Sequence, residues 1–263
     1  MTELFADAVK LRRANGVAYI TLARPDAANC VDRSLASGFR QAVIQCEDDD
    51  AIHLVVIEAE GRFFCAGGDI KAFAEAGDGI AELLADLTRD LHDAIARLAR
   101  MPKPIVTVVQ GAAAGAGFGI ALAGDLVVAA RSASFRLAYS AIGLTPDAGA
   151  TWVLSRIVGY RRAREIALLN PKIPAAEALD LGLVTQVIGD EELEATVAAI
   201  VRDMTAGPTK ALGSTRKLIF EGMERSFEEQ LAAEAMAIGH AAAEGDGREG
   251  IAAFLAKRPP IFV

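Results

Sequence analysis

Between Val109 and Asp125 this chain almost runs out of side chains. The stretch reads Gln110-Gly111-Ala112-Ala113-Ala114-Gly115-Ala116-Gly117-Phe118-Gly119-Ile120-Ala121-Leu122-Ala123-Gly124. An apolar run from Pro104 to Val109 precedes it, and a second, Leu126 to Ala130, follows it. Both flanks read as buried strands, because short continuous apolar runs fit a sheet covered on both faces. The segment between them must then turn from strand into helix using little beyond glycine and alanine. Such a turn lets another backbone, or a ligand, come close to its amides, which point toward developing negative charge. A chain built around it needs an α/β order with the turn at a strand end.

The remaining sequence agrees with that order. Ala8–Leu11 and Val17–Leu22 flank Asn15-Gly16, the signal of a hairpin with a type I′ turn. Asp32 is placed to cap a helix over about Arg33–Gln45, and Ile52–Glu58 reads as a strand. Ile80–Arg100 carries Leu83, Leu87, Leu91, Ile95 and Leu98 at helical spacing and stops before Pro102 and Pro104. Ser134–Ala138 and Val184–Val187 read as strands, Tyr160–Leu169 and Ala175–Leu181 as helices, and Pro208 as a first-turn proline. From Glu191 onward helix follows helix. The expected organisation is an α/β core over residues 1–200 and a helical C-terminal region over 201–263, with parallel sheet and outer helices.

Composition narrows the function. The chain of 263 residues is 52% hydrophobic, enough for a large core, yet no run approaches the ~20 apolar residues of a membrane span. The start, Met1-Thr2-Glu3-Leu4-Phe5, lacks the basic-then-apolar order of a signal peptide. A cytoplasmic protein without membrane association is expected. The net charge of −8 and the absence of a basic cluster among aromatics argue against nucleic acid as a partner. Cys30, Cys46 and Cys65 have neither metal nor redox spacing and read as reduced, packed thiols, so no metal site is expected.

Two stretches taken together are specific. Phe64-Cys65-Ala66-Gly67-Gly68-Asp69-Ile70-Lys71 and Gly111-Ala112-Ala113-Ala114-Gly115-Ala116-Gly117 resemble the paired signatures of the crotonase (enoyl-CoA hydratase/isomerase) superfamily. The loop Arg24-Pro25…Asn29, the segment Gly143…Pro146-Asp147-Ala148-Gly149, Ala175…Gly182-Leu183-Val184 and the tail Arg248…Lys257-Arg258 resemble it too, in the family order. The resemblance implies a ClpP-like spiral of repeated ββα units with a C-terminal helical region that helps trimerise, as a homotrimer or a homohexamer built from two trimers. It also implies an acyl-CoA thioester substrate and no metal or organic cofactor, coenzyme A entering as part of the substrate. By position, the oxyanion-hole donors are the N–H groups of Gly68 and Ala116. Two preset donors stabilise a thioester enolate more than the neutral carbonyl, and losing one costs about 3 kcal/mol of barrier. The other reading of both loops is close packing of helix on sheet.

The acid–base groups choose the reaction, and here the sequence departs from the hydratases the resemblance suggests. Their two glutamates fall at Gly119 and Tyr139. Glycine has no proton to exchange, and a phenol is a poor base at neutral pH. The remaining carboxylate of the pocket-forming loops is Asp147, with Ile142 and Leu144 as apolar neighbours that would desolvate it. Aspartate at this position resembles the enoyl-CoA and ring-epoxide isomerases, where it shuttles a proton, and 4-chlorobenzoyl-CoA dehalogenase, where it attacks the ring. His92 sits where the dehalogenase has a water-activating histidine, although it also reads as a helix-packing residue; Asp147 also reads as a helix N-cap.

The resemblance further puts Arg24, Ala27, Ala28, Ala66, Gly68, Asp69 and Ile70 along the CoA, with Phe254 and Lys257 reaching it from the C-terminal helix. The expected activity is double-bond isomerisation of an enoyl-CoA with Asp147 as shuttle. The alternatives are a hydratase, an aryl-CoA dehalogenase or hydrolase using Asp147 and His92, and a catalytically silent acyl-CoA-binding subunit.

Overall fold

The computed structural model describes residues 2–262. Strand β1 (Thr2–Phe5) pairs with β2 (Val9–Ala14), which forms the expected hairpin with β3 (Val17–Leu22). Asn15 and Gly16 both take positive φ, 52° and 76°, as a type I′ turn requires. Helix α1 (Arg33–Asp48) starts where the Asp32 carboxylate accepts the Leu35 N–H at 2.9 Å. Next come β4 (Leu54–Ala59), the short α2 (Ile70–Ala76) and the long α3 (Ile80–Arg100). Strand β5 (Ile105–Val109) leads through β6 (Ala112–Ala114) into α4 (Ala116–Ala121), and β7 (Leu126–Ala130) follows.

The second half holds β8 (Ser134–Arg136), α5 (Ala150–Leu169), β9 (Ile173–Pro174), α6 (Ala175–Asp180) and β10 (Gln186–Ile188). Helix α5 is broken at Gly159, whose φ of 77° and ψ of 160° are not helical, so the expected start near Tyr160 is its second segment. The main sheet has the order β1-β2-β3-β4-β5-β7-β10 and is parallel from β3 onward. A small sheet, β6-β8-β9, stands beside it. Three strands are not signalled by the sequence: β1, β6 and the two-residue β9. Thr2–Phe5 is half exposed on one edge, and Ala112–Ala114 has no side-chain pattern to read.

Helices α7 (Leu193–Thr205), α8 (Thr209–Gly222), α9 (Phe227–Ala243) and α10 (Gly245–Leu255) complete the chain. The expected boundary at 200/201 falls inside α7, which packs on β4 and β7 and so belongs to the core. The change of organisation comes instead at the turn Ala206–Pro208, and Pro208 is the N-cap of α8 rather than its first turn. Arg216 fastens α8 to the core. Its Nε meets Asp125 at 2.7 Å, and Nη1 donates to the Leu98 carbonyl at 3.0 Å and to that of Met101. Asp125 in turn accepts the Ile105 N–H at 2.7 Å. Arg216→Leu leaves a charged carboxylate and two carbonyls without their donor. It should cost about 2–3 kcal/mol and lower Tm by roughly 5–10 °C in a thermal melt.

Candidate active site

Adjacent parallel strands β4 and β5 end on the same side, and each feeds one glycine-rich loop. Ile57 lies opposite Thr107 in this register. The loops are then joined directly: the Cys65 N–H donates to Ala112 O at 3.1 Å, and the Ala114 N–H to Cys65 O at 2.9 Å. At Gly115 an added Cβ would lie 3.2 Å from Gly67 Cα and 4.0 Å from Gly68 N, so the backbones nearly touch. Gly67 and Gly115 take φ of 102° and 55°, which side chains resist. Among the described residues neither the Gly68 nor the Ala116 N–H is bonded to a protein acceptor. Ala116 opens α4, where first-turn amides lack intrahelical partners. Two unpaired donors therefore sit on touching loops.

Side-chain amides hold this arrangement from behind. Buried Asn29 donates to Glu60 O at 2.8 Å and Phe63 O at 2.9 Å, and Gln110 donates to Ala59 O, Gly61 O and Phe63 O at 3.0–3.1 Å. Arg24 reaches Asp32 at 2.9 Å, Asp69 at 3.4 Å and the Cys30 carbonyl at 2.5 Å. Asp69 caps α2 through the Lys71 and Ala72 amides at 3.1 and 3.3 Å. The side chains of Arg24 and Asp69, expected along the CoA, are thus engaged in tying the loops together. Ala27 ends a short 3-10 turn, Pro25–Ala27, and Ala28 caps it, its carbonyl accepting the Ala66 N–H at 3.1 Å; Ile70 is half exposed at the start of α2. Phe73, which the sequence did not single out, lays its ring where a Cβ of Gly68 would be. Buried Cys65 is a packed thiol whose pKa desolvation pushes up to about 12.

The candidate acid–base groups converge on this loop pair. Tyr139 donates its phenolic proton to Asp147 Oδ1. Burial, and then the Asp147 charge, push the Tyr139 phenol far above its usual range, so it is a donor and not a base. Asn170 at the C-cap of α5 sets the turn before it, accepting the Ala138 N–H at 2.8 Å. The motif Leu169-Asn170-Pro171 signals a cap but not this partner. Among the three tyrosines, Tyr139→Phe should leave the tyrosinate absorbance gained up to about pH 11 unchanged. A smaller rise in the variant would contradict the assignment.

Asp147 is not the helix cap. Helix α5 begins at Ala150 with Gly149 as its N-cap and no side-chain cap bond. The carboxylate is left for Tyr139 and the pocket, close enough to Cys65 to raise that thiol. The apolar wall expected around it is incomplete, since Ile142 is 50% exposed. Beside it, the slot of the missing glutamate is closed. A Cβ on Gly119 would stand 2.5 Å from the Ala148 Cβ and 2.6 Å from the Ala148 carbonyl oxygen. His92, which the dehalogenase alternative would use to activate water, is exposed on α3, with its Nε2 accepting the Ala148 N–H at 3.0 Å.

In their own chain Phe254 lies in α10 and Lys257 just beyond it. Helix α10 packs on α9 and borders a cavity of about 850 Å³ that includes Ile52, Pro102 and Lys103, at the starts of β4 and β5. The two glycine-rich loops leave from the opposite ends of those strands. Phe254 is 83% exposed there. No helix among the described residues is long and apolar enough to cross a membrane.

Two unpaired backbone donors on touching loops, with the Asp147–Tyr139 pair on neighbouring segments, are the features of an enzyme site. The chain belongs to the enoyl-CoA hydratase/isomerase family, whose model matches residues 12–263. It is 38% identical to 1,2-epoxyphenylacetyl-CoA isomerase of Escherichia coli over 94% of this chain and 95% of that one. It is 34% identical to a 4-chlorobenzoyl coenzyme A dehalogenase of an Arthrobacter species, over 84% and 80%. The crystal structure of an enoyl-CoA hydratase from Polaromonas sp. JS666 superposes with a TM-score of 0.91 at 34% identity, covering 97% of this chain and 100% of that one.

Proposed function

We propose that the protein isomerises an enoyl-CoA thioester, with Asp147 as the proton shuttle. The observation that carries this reading is the closed slot at Gly119: Ala148 fills the place of a second carboxylate and leaves Asp147 alone with Tyr139. A pair of carboxylates can hold and split a water across a double bond, whereas a single one suits removal and return of the same proton. Asp147 takes a proton from C2 of a 3-enoyl thioester, and the electron pair moves onto the carbonyl oxygen. The Gly68 and Ala116 amides hold the resulting dienolate. Asp147 then delivers the proton to C4, the double bond becomes C2=C3, and the carboxylate is restored. Tyr139, kept protonated, orients the carboxylate through its donated hydrogen bond.

In this reading no metal or organic cofactor takes part, and coenzyme A enters with the substrate. Phe254 and Lys257 would meet the CoA across a subunit boundary, because α10, which carries Phe254, borders a cavity at the starts of β4 and β5 in its own chain. That favours a homotrimer or a pair of trimers. Exposed Phe227, Met236, Ile238 and Leu255 on the C-terminal helices supply apolar surface for such contacts.

Mass spectrometry after incubation with a 3-enoyl-CoA tests the reaction. A product of equal mass in ordinary water supports isomerisation. A gain of one water identifies a hydratase, and release of halide from a halobenzoyl-CoA identifies a dehalogenase. Tight CoA binding with no turnover of any thioester identifies a binding subunit.

A further inference from the structure

One side chain crosses from α3 to the loop that carries Asp147. His92 Nε2 accepts the Ala148 N–H at 3.0 Å. A ring nitrogen that accepts must be unprotonated, so in the neutral ring the proton is on Nδ1. Ala148 is 2% exposed, and its φ of 51° lies in the left-handed region that a residue with a Cβ enters at a cost. Without His92 its amide would be buried with no acceptor. The opposite side of Ala148 is fixed by packing into the space above Gly119. One turn along α3 from His92, Ile95 Cγ2 lies 3.8 Å from the Cβ position of Gly149. The preceding residue, Asp147, is bound through its carboxylate to Tyr139. The loop is therefore pinned before, at and after Ala148.

We infer that His92 is a positioning residue: it holds the Ala148 amide and thereby sets where the Asp147 carboxylate stands, and it is not the base that activates water. This rests on the reading of Asp147 as the proton shuttle. The nitrogen that would take a proton from water already faces a donor, and the other nitrogen carries the ring proton.

Glutamine separates the two roles, because its Oε1 stands where Nε2 does, accepts a hydrogen bond, and does not titrate. H92A should lower kcat for isomerisation of a 3-enoyl-CoA by about 30- to 100-fold with KM within about twofold, the size expected for a displaced catalytic group. H92Q should recover activity to within about threefold of wild type. Equal losses in H92A and H92Q, or no loss in either, overturn the inference. Nitrogen NMR of the ¹⁵N-histidine protein without substrate gives a second readout. The resonances absent from H92Q should show a pyridine-type Nε2 and a pyrrole-type Nδ1, and the reverse assignment overturns the inference. If the wild-type protein isomerises no enoyl-CoA, the functional reading falls, and the nitrogen assignment alone then decides the role of His92.

Discussion

Asp147→Asn should lower kcat for isomerisation of a 3-enoyl-CoA by about 10³-fold, within the range typical of a removed general acid–base group. KM and CoA binding should change by no more than a few-fold, because the oxyanion amides are untouched. Asparagine still offers an oxygen to the Tyr139 hydroxyl, so the loop keeps its partner. The loss would then reflect proton transfer alone. Deuterium exchange at C2 of a saturated acyl-CoA gives the same answer without requiring a double bond to move, and should vanish in the variant. Unchanged turnover would remove Asp147 from the reaction.

Gly119→Glu restores the carboxylate of the two-glutamate hydratases and should nonetheless yield no hydratase. Its Cβ alone would stand 2.5 Å from the Ala148 Cβ and 2.6 Å from the Ala148 oxygen, and both atoms are fixed by the backbone. The loop must move before the side chain can enter. Overpacking of this kind costs about 1–3 kcal/mol. Because the displaced residue adjoins Asp147, isomerase turnover should fall by about 100-fold as well. Gly119→Ala should reproduce most of both effects, since the clash begins at the first carbon. Measured water addition to a 2-enoyl-CoA in Gly119→Glu, at more than trace rates, would show that Ala148 yields its place.

The sequence was most legible where main-chain chemistry is written in residue type. Gly115 and Gly67 sit at positive φ where their loops touch, and Asn15-Gly16 forms the hairpin turn. Helix α3 begins and ends where its leucine spacing and the prolines put it. Asp32 caps its helix as read. What stayed hidden were partnerships between side chains and distant backbone. Nothing in the spacing of His92 and Ala148 tells that one receives the other's amide across 56 positions. Asn29, Gln110 and Asn170 spend their side-chain amides on carbonyls and amides of other loops, and such pairings leave no period in the sequence. Phe73 was hidden for a related reason, since its neighbour, Gly68, contributes no side chain to suggest a contact. The placement of α10, which carries Phe254, depends on the path of three helices and could not be read from the local motif around it.

The two donors proposed to hold the oxyanion belong to the main chain, and this bears on how such a protein can be altered. A point substitution removes a carboxylate or a phenol, but only proline deletes an amide N–H. Gly68 and Ala116 therefore keep their amide donors under nearly every exchange that the touching loops tolerate. Asp147, Tyr139 and His92 come from a separate loop, a 3-10 turn and α3, each replaceable without redrawing the strands beneath. A designer seeking new thioester chemistry on this scaffold should leave the two glycine-rich loops alone and rebuild the face that looks onto them.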